Sequence, residues 1–279
     1  MDYVKPVDVV GQMLESSARK LSLSPKVLLI SGMFSGALLG FATSLALGAA
    51  VSTGQALVGA LIFPVGFVII VLLGLELVTG SFGLLPLSLL ERRTSPGKIL
   101  ANWSLVFIGN LIGSVVYGAL LAIVLTNMGT SDPGGVGARI IAVAQAKTAA
   151  NEALGFAGLV SVFVKAILCN WMVCMGVVVA LTSSSTVGKI AAAWLPIVIF
   201  FAQGFEHSVV NMFVIPTGMM LGAKVSFAQW WLWNQIPVTL GNIVGGFVFA
   251  TLGLYLMHRR QSAAAAKSAG PAAAAVAAE

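Results

Sequence analysis

Two glutamates and one histidine interrupt stretches of this chain that are otherwise apolar: Glu76, Glu206 and His207. Small and hydroxylated residues surround them, with Thr79, Gly80 and Ser81 after the first glutamate and Ser208 after the histidine. An imidazole takes up or releases a proton near neutrality, since its unperturbed pKa is about 6.5. A carboxylate in apolar surroundings can face a polar path, or it can tie down irregular backbone by accepting hydrogen bonds. Both roles are open to Glu76 and Glu206, and the structural one is preferred. The chemistry these residues suggest is proton and hydrogen-bond exchange with a small solute. No nucleophile–base pair, phosphate loop or metal cluster accompanies them, so neither an enzyme nor a cofactor site is expected. Cys169 and Cys174 have a spacing that matches no metal motif and read as apolar packing residues.

The elements that hold these residues must be membrane helices. Of 279 residues 58% are hydrophobic and 9% charged, where a soluble domain carries roughly a quarter charged. Apolar runs recur at about the length needed to cross a ~30 Å hydrocarbon core. Spans are expected at about 27–48, 57–90, 100–125, 157–182, 190–223 and 233–257. Residues 1–26 hold a short amphipathic helix, with Val7, Val10, Leu14, Ala18 and Leu21 on one face. A second such helix is expected over 139–152, after a Ser-Asp-Pro-Gly-Gly turn at 131–135. Residues 258–279 read as an Ala-rich disordered tail, with His258 a surface group beside Arg259 and Arg260. The start does not read as a signal peptide, because acidic residues precede any apolar stretch.

The net charge of +6 is distributed by topology and does not indicate nucleic acid. With the N-terminus inside, eleven basic residues fall on inner segments, against Arg139, Lys147 and Lys224 outside. This is the positive-inside pattern, and it puts both termini in the cytoplasm of a bacterial inner-membrane protein. Lys165 stands at the head of the fourth span, from which it can snorkel outward.

The second and fifth spans are too long for one simple crossing, and their interruptions correspond. Glu76 follows Gly74 by two residues and Pro86 follows it by twelve; Glu206 and Pro216 stand in the same relation to Gly204. The next span repeats as well, with Asn102 and Asn110 answering to Asn234 and Asn242, eight apart in each case. Each half (about 27–125 and 157–257) holds three spans, so the second must insert upside down. The expected fold is an all-α integral membrane protein of six helices in an inverted three-plus-three repeat, with the second and fifth helices broken. Each break turns a half-helix N-terminus toward the bilayer centre, where its free N–H groups favour an anion.

At these residues the sequence resembles the formate/nitrite transporter family. The blocks that carry the resemblance are GFEHSVVNMFVIPTG at 204–218, KAILCNWMVCMG at 165–176, GLELVTGS at 74–81 and IPVTLGNIVGG at 236–246. The resemblance implies a homopentamer of aquaporin-like protomers in lipid, each with its own pore for a small monovalent anion such as formate, nitrite, hydrosulfide or lactate. It places the pore histidine on His207 with Glu206 beside it, the hydroxyl of the broken helix on Thr79 and the pore asparagine on Asn242. It puts apolar constrictions at Phe63, Phe67, Leu77, Val173 and Phe200. The outer lysine falls on Lys147, and Val78 stands where some members have Phe. In the expected mechanism Lys147 draws the anion in, His207 protonates it between Thr79 and Asn242, and the neutral acid passes the apolar rings. An aquaporin-like channel for neutral solutes is the rival reading, although neither break contains an Asn-Pro-Ala motif. A bis-His haem would need a second intramembrane histidine.

Overall fold

The computed structural model describes residues 3–259. Its helices are α1 (Val9–Ser22), α2 (Pro25–Thr53), α3 (Ala56–Leu72), α4 (Val78–Leu90), α5 (Pro96–Thr126), α6 (Gly134–Lys147), α7 (Ala149–Ala153), α8 (Gly155–Ala180), α9 (Thr186–Ala202), α10 (Ser208–Met220) and α11 (Phe227–Arg259). Strand pairing among the described residues amounts to one isolated bridge, Tyr3 with Ser183. Four helices, α2, α5, α8 and α11, are long and apolar enough to cross a membrane, while α3, α4, α9 and α10 are shorter apolar helices.

Local chemistry sets the ends. Pro25 and Pro96 occupy first-turn positions, and Ser24 and Ser95 cap the helices behind them by accepting from Val27 N–H and Lys98 N–H, each at 3.4 Å. Ser226 and Gln229 form a reciprocal capping box at the start of α11. The first apolar helix runs to Thr53, beyond the expected 48, because the Ala-rich segment continues it until Gly54 adopts the left-handed conformation at φ 69°. The amphipathic segment expected over 139–152 is two helices, α6 and α7, since Thr148 leaves helical geometry. α11 contains two π-helical stretches, Trp231–Gln235 and Gly245–Leu252. It also continues through His258 and Arg259, which the sequence assigned to the tail; Arg259 Nε lies 3.1 Å from Glu91. The remainder of that tail lies outside the described residues.

Two close helix pairs form the frame. α2 packs on α5, and α8 packs on α11, through glycines that admit the opposing backbone. A methyl placed on Gly109 would stand 2.5 Å from the Leu29 carbonyl oxygen, and one on Gly241 2.6 Å from that of Phe163. Neither helix could carry a side chain there without separating, which is how small residues serve helices in lipid. The short helices α3, α4, α9 and α10 are held between these pairs, and α1 packs across the end of α4.

Candidate functional site

The site is built on two five-residue segments, 73–77 between α3 and α4 and 203–207 between α9 and α10. Each begins in the same way. Leu75 N–H donates to Ile70 O (2.9 Å) and Gly74 N–H to Val71 O (3.2 Å), while Phe205 and Gly204 repeat the pattern onto Phe200 and Phe201 at 3.2 and 3.1 Å. This 6→1 and 5→2 pairing needs a left-handed residue, and Gly74 and Gly204 supply it at φ 63° and 66°.

Each segment is then clamped by one asparagine. Asn110 Oδ1 accepts from Val78 N–H at 3.0 Å, while its Nδ2 donates to Gly32 O and Glu76 O at 2.8 and 3.1 Å. Asn242 does the same one half later: Oδ1 accepts from Ser208 N–H at 2.9 Å, and Nδ2 donates to Ala166 O and Glu206 O at 2.8 and 2.9 Å. Both amides are fully buried; each pairs two backbone groups that the helix interruption would otherwise leave unpaired and ties them to a carbonyl of an intact helix, Gly32 in α2 or Ala166 in α8. Asn242 was expected beside the imidazole; its hydrogen bonds hold the segment that carries the imidazole instead.

The two glutamates are likewise matched. Lys20 Nζ donates to Glu76 Oε2 and Lys147 Nζ to Glu206 Oε2, each at 2.8 Å. Asn102 Nδ2 reaches Lys20 O at 3.2 Å, and Asn234 Nδ2 reaches Lys147 O at 3.0 Å. Glu206 is more heavily engaged, because Asn211 and Asn234 also donate to its Oε2, at 2.7 and 3.2 Å. The carboxylates therefore hold lysine and amide side chains rather than the backbone N–H groups expected of them. Lys147, expected as a free charge drawing anions inward, has a side chain only 16% exposed and pinned to Glu206. Lys20 came from the sequence only as one of the eleven basic residues of the inner segments, and Asn102, Asn110 and Asn234 only as repeat markers. The equal spacing of those asparagines was the signal that could have assigned them a role.

The divergence of the halves that bears on proton chemistry is at the last residue of each segment. Leu77 and His207 are equivalent, and only the second can form hydrogen bonds. His207 Nδ1 accepts from Val210 N–H at 3.2 Å and caps α10, while Nε2 lies 3.1 Å from Thr79 Oγ1. With Nδ1 an acceptor, the neutral ring carries its proton on Nε2 and donates to Thr79, an assignment fixed by the bonding pattern. Thr79 is in turn positioned through its carbonyl, which accepts from Asn170 Nδ2 at 3.0 Å; Asn170 also reaches Asn242 O at 2.6 Å. The bond from His207 to Thr79 thus joins the first turn of α4 to the first turn of α10.

Apolar side chains enclose this junction. Phe200 stacks on the imidazole at a centroid distance of 5.7 Å, and Phe63 meets Phe200 edge-on at the same separation. Phe63, Phe67, Leu77, Val173 and Phe200 are all at most 4% exposed and belong to one cluster with Val78. Gly80 and Ser81 lie in the first turn of α4, and Ser81 Oγ is buried without a hydrogen-bond partner. On the α1 side, Phe67, Leu77 and Gly80 line a cavity of about 390 Å³ whose other walls include Arg19, Lys20 and Lys189. Cys169 and Cys174 are buried, as expected of packing residues.

Comparison with known proteins agrees with this architecture. The sequence profile described as formate/nitrite transporter matches residues 7–256. A probable formate transporter of Methanothermobacter thermautotrophicus is 43% identical over 67% of this chain and 70% of its own. A formate channel of Bacillus thuringiensis is 30% identical over 94% of this chain and 98% of its own. Among solved structures, an FNT family ion channel superposes with a TM-score of 0.75 at 26% identity, covering 90% of this chain and 98% of the other. A pentameric formate channel with formate bound gives a TM-score of 0.67 at 25% identity, covering 88% and 98%. All-helical, apolar, and matched along nearly its whole described length, this integral membrane protein is a transporter rather than an enzyme and belongs to the formate/nitrite transporter family.

Proposed function

We propose that each protomer carries small monovalent anions through its own pore, formate first among them, with nitrite, hydrosulfide and lactate as chemical relatives. The observation that carries this reading is the bond between His207 and Thr79, 3.1 Å long, where the first turns of α4 and α10 meet inside an apolar enclosure. Two helix N-termini supply partial positive charge there, while the phenylalanines around them penalise a bare anion and tolerate a neutral acid. His207 takes up a second proton from the entry side and passes it to the anion as it loses water, returning to the neutral ring; the acid then crosses the apolar residues and releases the proton beyond them. Lys147 serves this scheme by fixing Glu206, and Asn242 by fixing the segment that presents His207.

The matched contacts of the two halves support a six-span inverted repeat within 27–257, in which α3 with α4 and α9 with α10 are the broken second and fifth spans. The charge distribution supports cytoplasmic termini in a bacterial inner membrane, and the pentameric formate channel among its structural relatives supports a homopentamer. One observation favours a second reading, passive anion conduction with His207 only a hydrogen-bonding group. Nδ1 accepts from Val210 N–H, so a second ring proton would displace that bond.

Formate and nitrite uptake into liposomes, for wild type and His207→Ala between pH 5 and 8, tests both. Uptake that needs His207 and rises as pH falls supports protonation. Uptake that survives the substitution with a flat pH profile leaves passive conduction. Entry of water or glycerol without either anion would sink the anion reading and restore the neutral-solute channel.

A further inference from the structure

We infer that the cavity on the α1 side is an anion-capture site formed by Arg19 and Lys189, giving the pore two electrostatically unequal mouths. This rests on the proposed transport function and orientation, in which the α1 side is the cytoplasmic one. Arg19 comes from α1 and Lys189 from α9, and both line the same cavity of about 390 Å³. The guanidinium reaches the lip of the first break, since a methyl on Gly74 would meet Arg19 Nη1 at 3.1 Å. The third cation there, Lys20, is neutralised by Glu76 at 2.8 Å. No carboxylate of the described residues lies within ion-pair distance of Arg19 or Lys189. The cavity therefore holds two uncompensated positive charges above a floor of Phe67 and Leu77.

The repeat shows that these charges are additions to the common frame. In the register that aligns Lys20 with Lys147, Arg19 corresponds to Ala146; in the register that aligns Glu76 with Glu206, Lys189 corresponds to Gly59. Nothing lies within 4 Å of a methyl placed on Gly204, the counterpart of Gly74. The second half has added cations of its own, Arg139 opposite Gln12, Lys224 opposite Thr94 and, in the register that aligns Gly32 with Ala166, Lys165 opposite Ser31, all exposed. These are spread over α6, α8 and the α10–α11 connection, where Arg19 and Lys189 face one cavity. Arg19 is exposed and Lys189 half-buried, and a mouth lined by one sign of charge concentrates the opposite ion. Its consequence is kinetic: anions on the cytoplasmic side half-saturate the pore at lower concentration than anions outside.

The test uses full-length protein carrying Leu73→Cys, a cavity-lining position 67% exposed, in vesicles with the cytoplasmic face outward. Rates of modification by an anionic and a cationic methanethiosulfonate are compared with and without Arg19→Gln/Lys189→Gln. Half-saturating formate is measured from each face in the same variants without the added cysteine. The anionic-to-cationic rate ratio is expected to fall roughly three- to tenfold at low ionic strength in the double variant. The difference should close in about 0.5 M salt, where charges are screened within a few ångströms. Half-saturating formate should rise on the cytoplasmic face alone, and Arg19→Lys/Lys189→Arg should behave as wild type. An unchanged rate ratio overturns the inference, as does a changed ratio with half-saturation unaltered or altered equally on both faces. If the ratio falls while wild type carries no formate, the capture site stands and the transport reading fails.

Discussion

His207 has two duties on one ring. Nδ1 ends α10 by accepting from Val210 N–H, and Nε2 reaches Thr79 in the other half. The two are linked, because the cap fixes which nitrogen carries the proton. Thr79 therefore matters for its hydroxyl rather than its volume, and isosteric substitution separates the two. Thr79→Val should lower formate flux in proteoliposomes by about tenfold, the upper range of one hydrogen bond, while Thr79→Ser stays within about twofold. Equal losses in both would mean that the methyl group, and with it packing, is what counts. At this scale the sequence was only partly legible. His207 and the glutamates were conspicuous because ionisable groups are costly at membrane depth. Lys20 was not, and Lys147 entered through the family resemblance without its partner, since each lysine comes from a distant helix and no local spacing announces an ion pair.

The helices themselves were far more legible, because hydropathy, proline and capping residues act locally. The breaks at Gly74 and Gly204 followed from the excess length of two apolar runs. The π-helical stretches of α11 did not, as nothing in their composition distinguishes them from the regular α5. What holds the broken elements is a pair of asparagine clamps, and their equivalence has a measurable consequence. Asn110→Leu and Asn242→Leu each leave a buried N–H and one loop carbonyl without their partner, at roughly 1–3 kcal/mol for each group so abandoned. Thermal unfolding in detergent should show a lowered Tm for both, and a loss confined to one would deny the equivalence of the halves. The ion pair of α1 with the first break makes a sharper case. Lys20→Met leaves Glu76 buried and unpaired, a loss on the order of 3–5 kcal/mol, and adding Glu76→Leu should restore much of it. If the double variant is no better than the single, the pair acts through its hydrogen-bonding geometry rather than through compensation of charge.

Across the whole molecule the ends of the helices sort into two sets, and this sorting makes the proposed placement in a bilayer testable. Val4 N–H donates to Thr182 O at 2.8 Å, so the start of the chain lies at the α8–α9 connection. Val9, Met13, Leu87, Val178 and Tyr255 share one cluster, which adds the ends of α4, α8 and α11 to that set. At the opposite end, Thr126, Met128 and Met220 line one pocket, and α6 packs against α10. An even number of crossings between Val4 and Tyr255 is the arrangement that puts both on one face, and the basic residues Arg92, Arg93 and Lys189 support the proposal that this face is cytoplasmic. Single cysteines at Arg93, Ser183, Asn127 and Lys224 report the result in intact cells treated with a membrane-impermeant thiol reagent. The last two should be modified and the first two only after the membrane is opened. Buried Cys169 and Cys174 leave the background low. Modification of Ser183→Cys and Lys224→Cys from the same side would place the two ends of the α9–α10 pair on one face. That would mean this pair re-enters without crossing, and the inverted repeat would fall with it.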